Sequence, residues 1–353
     1  MANPVRFTSG VSTFSPKSNQ ASFPMVPTPN QGCVINEFVP YRSGDFVAAQ
    51  TNGSAAALAW NSGGITLSTT GSTTGDKIIL GMTSPAIQYM PGNQMWTGVT
   101  VAAPSTIADV NVYFGEANTQ DITNSPTDGV YFLKPAGGTA VNLIVKKAGT
   151  TTTFTNIADL AKPSGLYGDA TSTAGTLTPN GTGTTLTSLA VATGGSGYAA
   201  APLLITTGTS GSGAAAYCQV ASGSLYAPYV TAAGSGYTAG TFSVTPLPWV
   251  TLSKYYDGKG TLYIGVNGRT VMSIGPSGRT NVAAGGTAAN ASFQSYYVTT
   301  QLSTSVAPIQ PRAGAFDNLM PLVPMYPGGG LANTTANART AYVDSFQLGF
   351  EYN

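Results

Sequence analysis

The sequence predicts an all-β protein built as a two-sheet sandwich, and three observations carry that expectation. Residues 249–274, WVTLSKYYDGKGTLYIGVNGRTVMSI, read as three short strands joined by turns at Asp257-Gly258-Lys259-Gly260 and Asn267-Gly268. Asn-Gly suits a type I′ hairpin turn, whose two central residues both need φ > 0. Between the turns, Leu262, Ile264 and Val266 fall on one side, with Thr261, Tyr263 and Gly265 on the other. That period of two marks a strand packed on one face, and the apolar face of such a meander needs a second sheet. Thirdly, residues 32–92 hold short apolar runs separated by Ser, Thr and Gly clusters, with no amphipathic helix among them.

Taken in order, residues 1–31 contain Pro4, Pro16, Pro24, Pro27 and Pro29 among isolated apolar residues. No helical or strand period survives that proline density, so an extended N-terminal arm is expected. Strands are expected near residues 33–39, 46–49, 56–60, 65–68 and 77–80, then 99–101, 109–114, 129–133 and 140–146, with turns at Gly137-Gly138 and Gly149. Residues 163–247 hold a single charged residue, Asp169, and repeat themselves. Val191 through Gly-Gly-Ser-Gly-Tyr198 matches Val230 through Ala-Gly-Ser-Gly-Tyr237. Tandem units too small to bury a core alone predict a small β-repeat domain inserted into the sandwich. Beyond the meander come a glycine-rich loop, a strand at 292–299 and a long irregular Pro- and Gly-rich segment at 308–337. A final strand at 340–352 would place Tyr342, Phe346, Leu348 and Phe350 on one face. In the meander, Lys254 occupies a position where an apolar inward residue is expected.

With 353 residues the chain is long enough for two or three domains. Only 8% of it is charged, 42% is hydrophobic, and 18 tyrosines and 13 phenylalanines supply material for packed sheets. A formal net charge of +1 without a basic run gives no electrostatic reason for nucleic-acid binding. A chain so poor in charge is weakly defended against association and suits a subunit that works assembled. Cys33 and Cys218 follow no metal or redox spacing and are expected to be free thiols. No stretch approaches the ~20 apolar residues of a membrane span, and no h-region of a signal peptide opens the chain, so synthesis in the cytoplasm without export is expected.

The succession Trp249, alternating apolar residues, Tyr-Asp-Gly258 and Val-Asn-Gly268 resembles the laminin-G or concanavalin-like jelly roll found in virion proteins of tailed bacteriophages. Asp-Gly-Val-Tyr-Phe132, followed by a strand ending in Val-Lys-Lys147, is similar to the same family. The Gly-Ser-Gly-Tyr units resemble repeats of phage fibre and tail proteins. The resemblance implies a jelly roll in two parts, residues 32–162 and 248–353, interrupted by the 163–247 insertion. It also implies a homo-oligomer, a trimer rather than a dimer, and a place on the capsid surface of a virion assembled in the host cytoplasm.

Chemistry is hard to find. The chain has no histidine, which removes His-based acid/base catalysis, Ser-His-Asp triads and His-ligated metals together. Gly234-Ser-Gly236 lacks the spacing and the following helix of a phosphate cradle. Glu37, Glu116 and Glu351 stand alone in the sequence; Glu116 and Asp121 are expected in a solvated loop rather than as a glycosidase pair. The acidic residues are dispersed, and turn or strand-end roles suffice for Asp257 and Asp344, so no calcium or other cofactor is expected. Two functions of different class remain. The first is a non-enzymatic capsid decoration or cement subunit that contacts the major capsid protein through arm residues Phe7, Phe14, Phe23 and Met25. The second is a fibre-like adhesin in which Tyr198, Tyr226, Tyr229 and Tyr237 stack on host glycans. The first accounts for arm, low charge and missing chemistry together and is the preferred expectation.

Overall fold

The computed structural model describes residues 31–36, 46–51, 58–61, 64–71, 73–89, 93–104, 107–182, 184–207, 211–238, 243–258, 261–274, 280–283, 293–296, 321 and 323–352. The arm, with Phe7, Phe14, Phe23 and Met25, lies outside them. Among the described residues the first five strands are β1 (Gln31–Asn36), β2 (Phe46–Thr51), β3 (Leu58–Asn61), β4 (Gly64–Thr69) and β5 (Lys77–Met82). Then come β6 (Asn93–Ala102), β7 (Val110–Ala117), β8 (Gly129–Lys134), β9 (Ala140–Lys147) and β10 (Thr150–Asp159). The repeat segment carries β11 (Thr176–Thr182), β12 (Thr185–Thr193), β13 (Leu203–Thr207), β14 (Ser212–Ala221), β15 (Ser224–Ser235) and β16 (Ser243–Leu247). The chain ends with β17 (Val250–Asp257), β18 (Leu262–Val266), β19 (Arg269–Ile274), β20 (Thr280–Ala283), β21 (Phe293–Tyr296), β22 (Tyr326–Asn333) and β23 (Arg339–Tyr352).

These strands form the all-β, two-sheet jelly-roll sandwich that the sequence predicts. One sheet runs β21-β20-β19-β18-β17-β6-β23-β4-β3, with β1 also paired to β23; the other runs β10-β9-β8-β7-β22-β5-β2. The 249–274 meander is β17, β18 and β19, and its second turn has Asn267 and Gly268 at φ 47° and 77°, as a type I′ hairpin requires. Leu262, Ile264 and Val266 are fully buried and share one continuous core with Val112, Phe114, Val130 and Phe132 of the smaller sheet. Burying each such side chain contributes about 1.5–3 kcal/mol, which drives the two sheets together. The returning strand β23 does lie beside β1, closing the roll.

Two expectations about the C-terminal part are corrected. The segment expected to be irregular contains β22, a central strand between β5 and β7, despite its sequence YPGGGLAN. A side chain at Gly328 would strike the Leu80 carbonyl oxygen at 2.4 Å, and one at Gly329 the Phe114 ring at 2.6 Å. One at Gly330 would strike Thr123 at 2.7 Å. Glycine here admits neighbours to both faces of the strand instead of ending it. In β23, a bulge at Asp344 exchanges the faces: Ala341 and Val343 before it and Phe346 and Leu348 after it are buried, so Tyr342 does not share their face.

Candidate functional site

Lys254 keeps the register of β17 and points inward, at 3% exposure. Its Nζ donates to Glu116 Oε2 and to the Val130 carbonyl, and lies 5.6 Å from the centroid of the Phe132 ring. Tyr89 Oη donates to the same Glu116 oxygen at 3.1 Å. The expectation of a solvated Glu116 is therefore overturned: Glu116 sits on β7, fully buried, and forms an ion pair from one sheet to the other. Burial lowers the Lys254 pKa, opposed by the Glu116 charge, and raises that of Tyr89, where burial and the carboxylate act together. An ion pair so enclosed acts on the packing of the two sheets.

The other perturbed groups are also engaged in the fold. Lys134 Nζ donates to the carbonyls of Ile107 and Val110 at 2.8 Å each, and desolvation lowers its pKa to about 8. Arg339 grips Asp109 through two nitrogens, with Thr335 and Asn337 donating to the same carboxylate, which holds Asp109 well below the usual carboxylate range. Asp121 accepts from Lys77 at 2.6 Å. Among the described residues no group of three His, Cys, Asp or Glu could hold a metal ion.

The repeat segment presents different chemistry. Among the described residues, β11–β12, β13–β16 and β14–β15 form three two-stranded ladders that pair with neither large sheet. Positions 39 apart correspond, as Tyr198 does to Tyr237. Gly175 N–H donates to Tyr198 Oη at 3.0 Å, and Ala214 N–H, 39 residues on, donates to Tyr237 Oη at 3.1 Å. The Tyr198 N–H donates to the Gly223 carbonyl and the Tyr237 N–H to that of Thr184, again a corresponding pair. Each tyrosine is thus tied to the hairpin turn of the other unit, an exchange with approximate two-fold symmetry. Gly195, Gly197, Gly234 and Gly236 all have φ between 64° and 86°, which explains the Gly-Ser-Gly spacing before each tyrosine.

This geometry corrects the expected glycan residues. Tyr198 and Tyr237 are 5% and 3% exposed and belong to the repeat's interior, along with Leu186, Leu225 and Cys218. Tyr226 and Tyr229 are on the surface, 61% and 48% exposed, and the structure adds Tyr217, 41% exposed, which sequence reasoning missed. Tyr217 pairs across the β14–β15 ladder with Tyr229, ring centroids 5.4 Å apart at 49°, and Gln219 pairs with Tyr226. Residues three apart in a regular strand face opposite ways, yet Tyr226 and Tyr229 are both exposed. A bulge between them, with Ala227 at φ 46°, brings this about. At the corresponding positions of the first unit stand Thr178, Thr187 and Ala190, all exposed. The repeat architecture therefore does not require aromatic rings there.

No protein-family model matches the chain, and no curated protein is similar to it in sequence. Among solved structures it is similar to a protein of unknown function from Shewanella oneidensis, at 10% identity and a TM-score of 0.36, covering 91% of this chain and 87% of that one. It is similar to the carbohydrate recognition domain of Emp47p at 10% identity and 0.35, covering 88% and 89%. A seed lectin of Lotus tetragonolobus gives 9% and 0.30, covering 89% and 96%. Likenesses of this degree say nothing about what the chain binds.

Proposed function

We propose that the chain is a non-enzymatic structural subunit of a bacteriophage virion, a decoration or cement protein that binds the major capsid protein. The observation that supports this reading is where the charges lie. Of only 14 basic and 13 acidic side chains, Asp76, Asp109, Glu116, Lys134, Asp169 and Lys254 are buried, so few charges are left to reach the surface of a charge-poor chain. Such a surface favours permanent association over a solitary life in solution. The proline-rich arm would supply the contacts, since a stiff segment loses little conformational entropy when its Phe7, Phe14, Phe23 and Met25 enter apolar grooves between capsid subunits. The subunit would act as a homo-oligomer, a trimer, to be measured by light scattering.

The test is rebinding to particles stripped of the protein. Full-length chain should restore wild-type occupancy, with little loss in raised salt because the contacts are neutral. Chain lacking residues 2–30 should fold and oligomerise but fail to bind. Wild-type occupancy by the truncated chain would remove the arm from the proposal. A second reading, the fibre-like adhesin for host glycans, is favoured by one observation, the exposed tyrosine face of β14–β15.

A further inference from the structure

We infer that Tyr217, Tyr226 and Tyr229, with the Gln219 amide beside them, form a binding platform for an uncharged oligosaccharide. The inference rests on the glycan reading for its ligand class, and it holds whether or not the chain decorates a capsid.

Two units of one architecture stand side by side, and only the second has rings on this face; the first has Thr178, Thr187 and Ala190 and folds without them. Exposed aromatic side chains that the fold does not need are a cost in solubility, so their gathering on one face points to a ligand.

The exposed fractions of the three rings amount to roughly 300 Å², against the ~800 Å² that each partner contributes to a stable protein interface. That area suits a few sugar rings better than a second protein surface.

Residues 163–247 carry one charge, Asp169, which is 4% exposed and accepts hydrogen bonds from Thr171 and Ser172, so the face is electrically neutral. Anionic ligands gain nothing here. A pyranose fits: its C–H face lies on phenol rings, while its hydroxyls meet the tyrosine hydroxyls and the Gln219 amide. The 49° tilt between Tyr217 and Tyr229 and the bulge at Ala227 give a twisted rather than flat platform, suited to a chain of several sugars rather than a crystalline surface.

The experiment uses the full chain and its variant Tyr217→Thr/Tyr226→Thr/Tyr229→Ala, which installs the residues of the first unit at corresponding positions. Cellohexaose and chitohexaose are the neutral probes and a heparin-derived hexasaccharide the anionic one, read by tyrosine fluorescence and calorimetry. We expect wild type to bind a neutral probe with an affinity indifferent to salt, and not to prefer the anionic one. Each ring removed should weaken binding about tenfold. Circular dichroism and particle occupancy should be unchanged in the triple variant, which separates this inference from the capsid reading. Should the triple variant misfold, Tyr226→Thr alone, at the most exposed ring, carries the comparison. Absence of neutral binding in wild type, equal binding by a folded variant, or loss of self-association in the variant each overturns the inference; the last would make the face a contact between copies.

Discussion

Replacing Glu116 by glutamine keeps the shape of the buried cluster and removes the charge that Lys254 faces. Lys254 and Glu116 side chains are 2% and 0% exposed, so solvent screening offers no relief. Breaking a buried pair in this way typically costs about 3–5 kcal/mol. The structure supports the upper part of that range but also caps it, because Lys254 can escape by losing its proton. From an ordinary 10.5 that costs about 5 kcal/mol at pH 7, at about 1.36 kcal/mol per unit. The sign of the pH dependence follows. Burial lowers the Lys254 pKa in the folded state, so the unfolded chain binds more protons, and stability rises with pH in the alkaline range. Without Glu116 to oppose the lowering, this rise begins at lower pH, and the variant's deficit shrinks as pH increases from 7 towards 10.5. Adding Lys254→Met should recover most of the loss, since neither charge then remains and Tyr89 can still donate to residue 116. Guanidinium unfolding of wild type, both single variants and the double variant at several pH values measures the coupling. Single-variant losses below about 1 kcal/mol, or losses that simply add in the double variant, would refute the assignment of a buried, mutually dependent pair.

Arg339→Met should flatten the acid limb of the stability curve. Asp109 is held well below its ordinary pKa chiefly by Arg339, so it contributes stability above the unfolded pKa that is lost as pH falls below it; urea midpoints from pH 5 to 2.5 would show this. Gly329→Ala should destabilise by about 1–3 kcal/mol through overpacking, because its methyl meets the Phe114 ring at 2.6 Å and the Tyr113 carbonyl oxygen at 3.0 Å; thermal unfolding reads the loss. Deleting residues 163–247 and joining the ends should leave a folded jelly roll, given that β11 to β16 pair among themselves; an aggregated or unfolded product would count against a separable domain.

What the sequence determined by itself was local. Alternation at Leu262, Ile264 and Val266, Asn267-Gly268 at the hairpin turn, and the paired Gly-Ser-Gly-Tyr units are set by residues close together in the chain, where backbone conformation and period two act directly. The sandwich, its meander and its closing strand followed from these. Tertiary structure decided everything that depends on which distant residue lies opposite. Glu116 and Lys254 are 138 positions apart, so neither a loop-like acid nor a misplaced lysine could announce its partner. Gly328, Gly329 and Gly330 read as a break because a glycine run normally ends a strand. Only the carbonyl, ring and methyl pressed against them make glycine the residue that a central strand needs. The tyrosines divide for the same reason: Tyr198 and Tyr237 are drawn inside by backbone donors 23 residues upstream. A bulge turns Tyr226 to the face of Tyr229, where ladder register adds Tyr217. Periodicity reports a strand's faces only while its register is regular, and which face meets solvent is a property of the assembled fold.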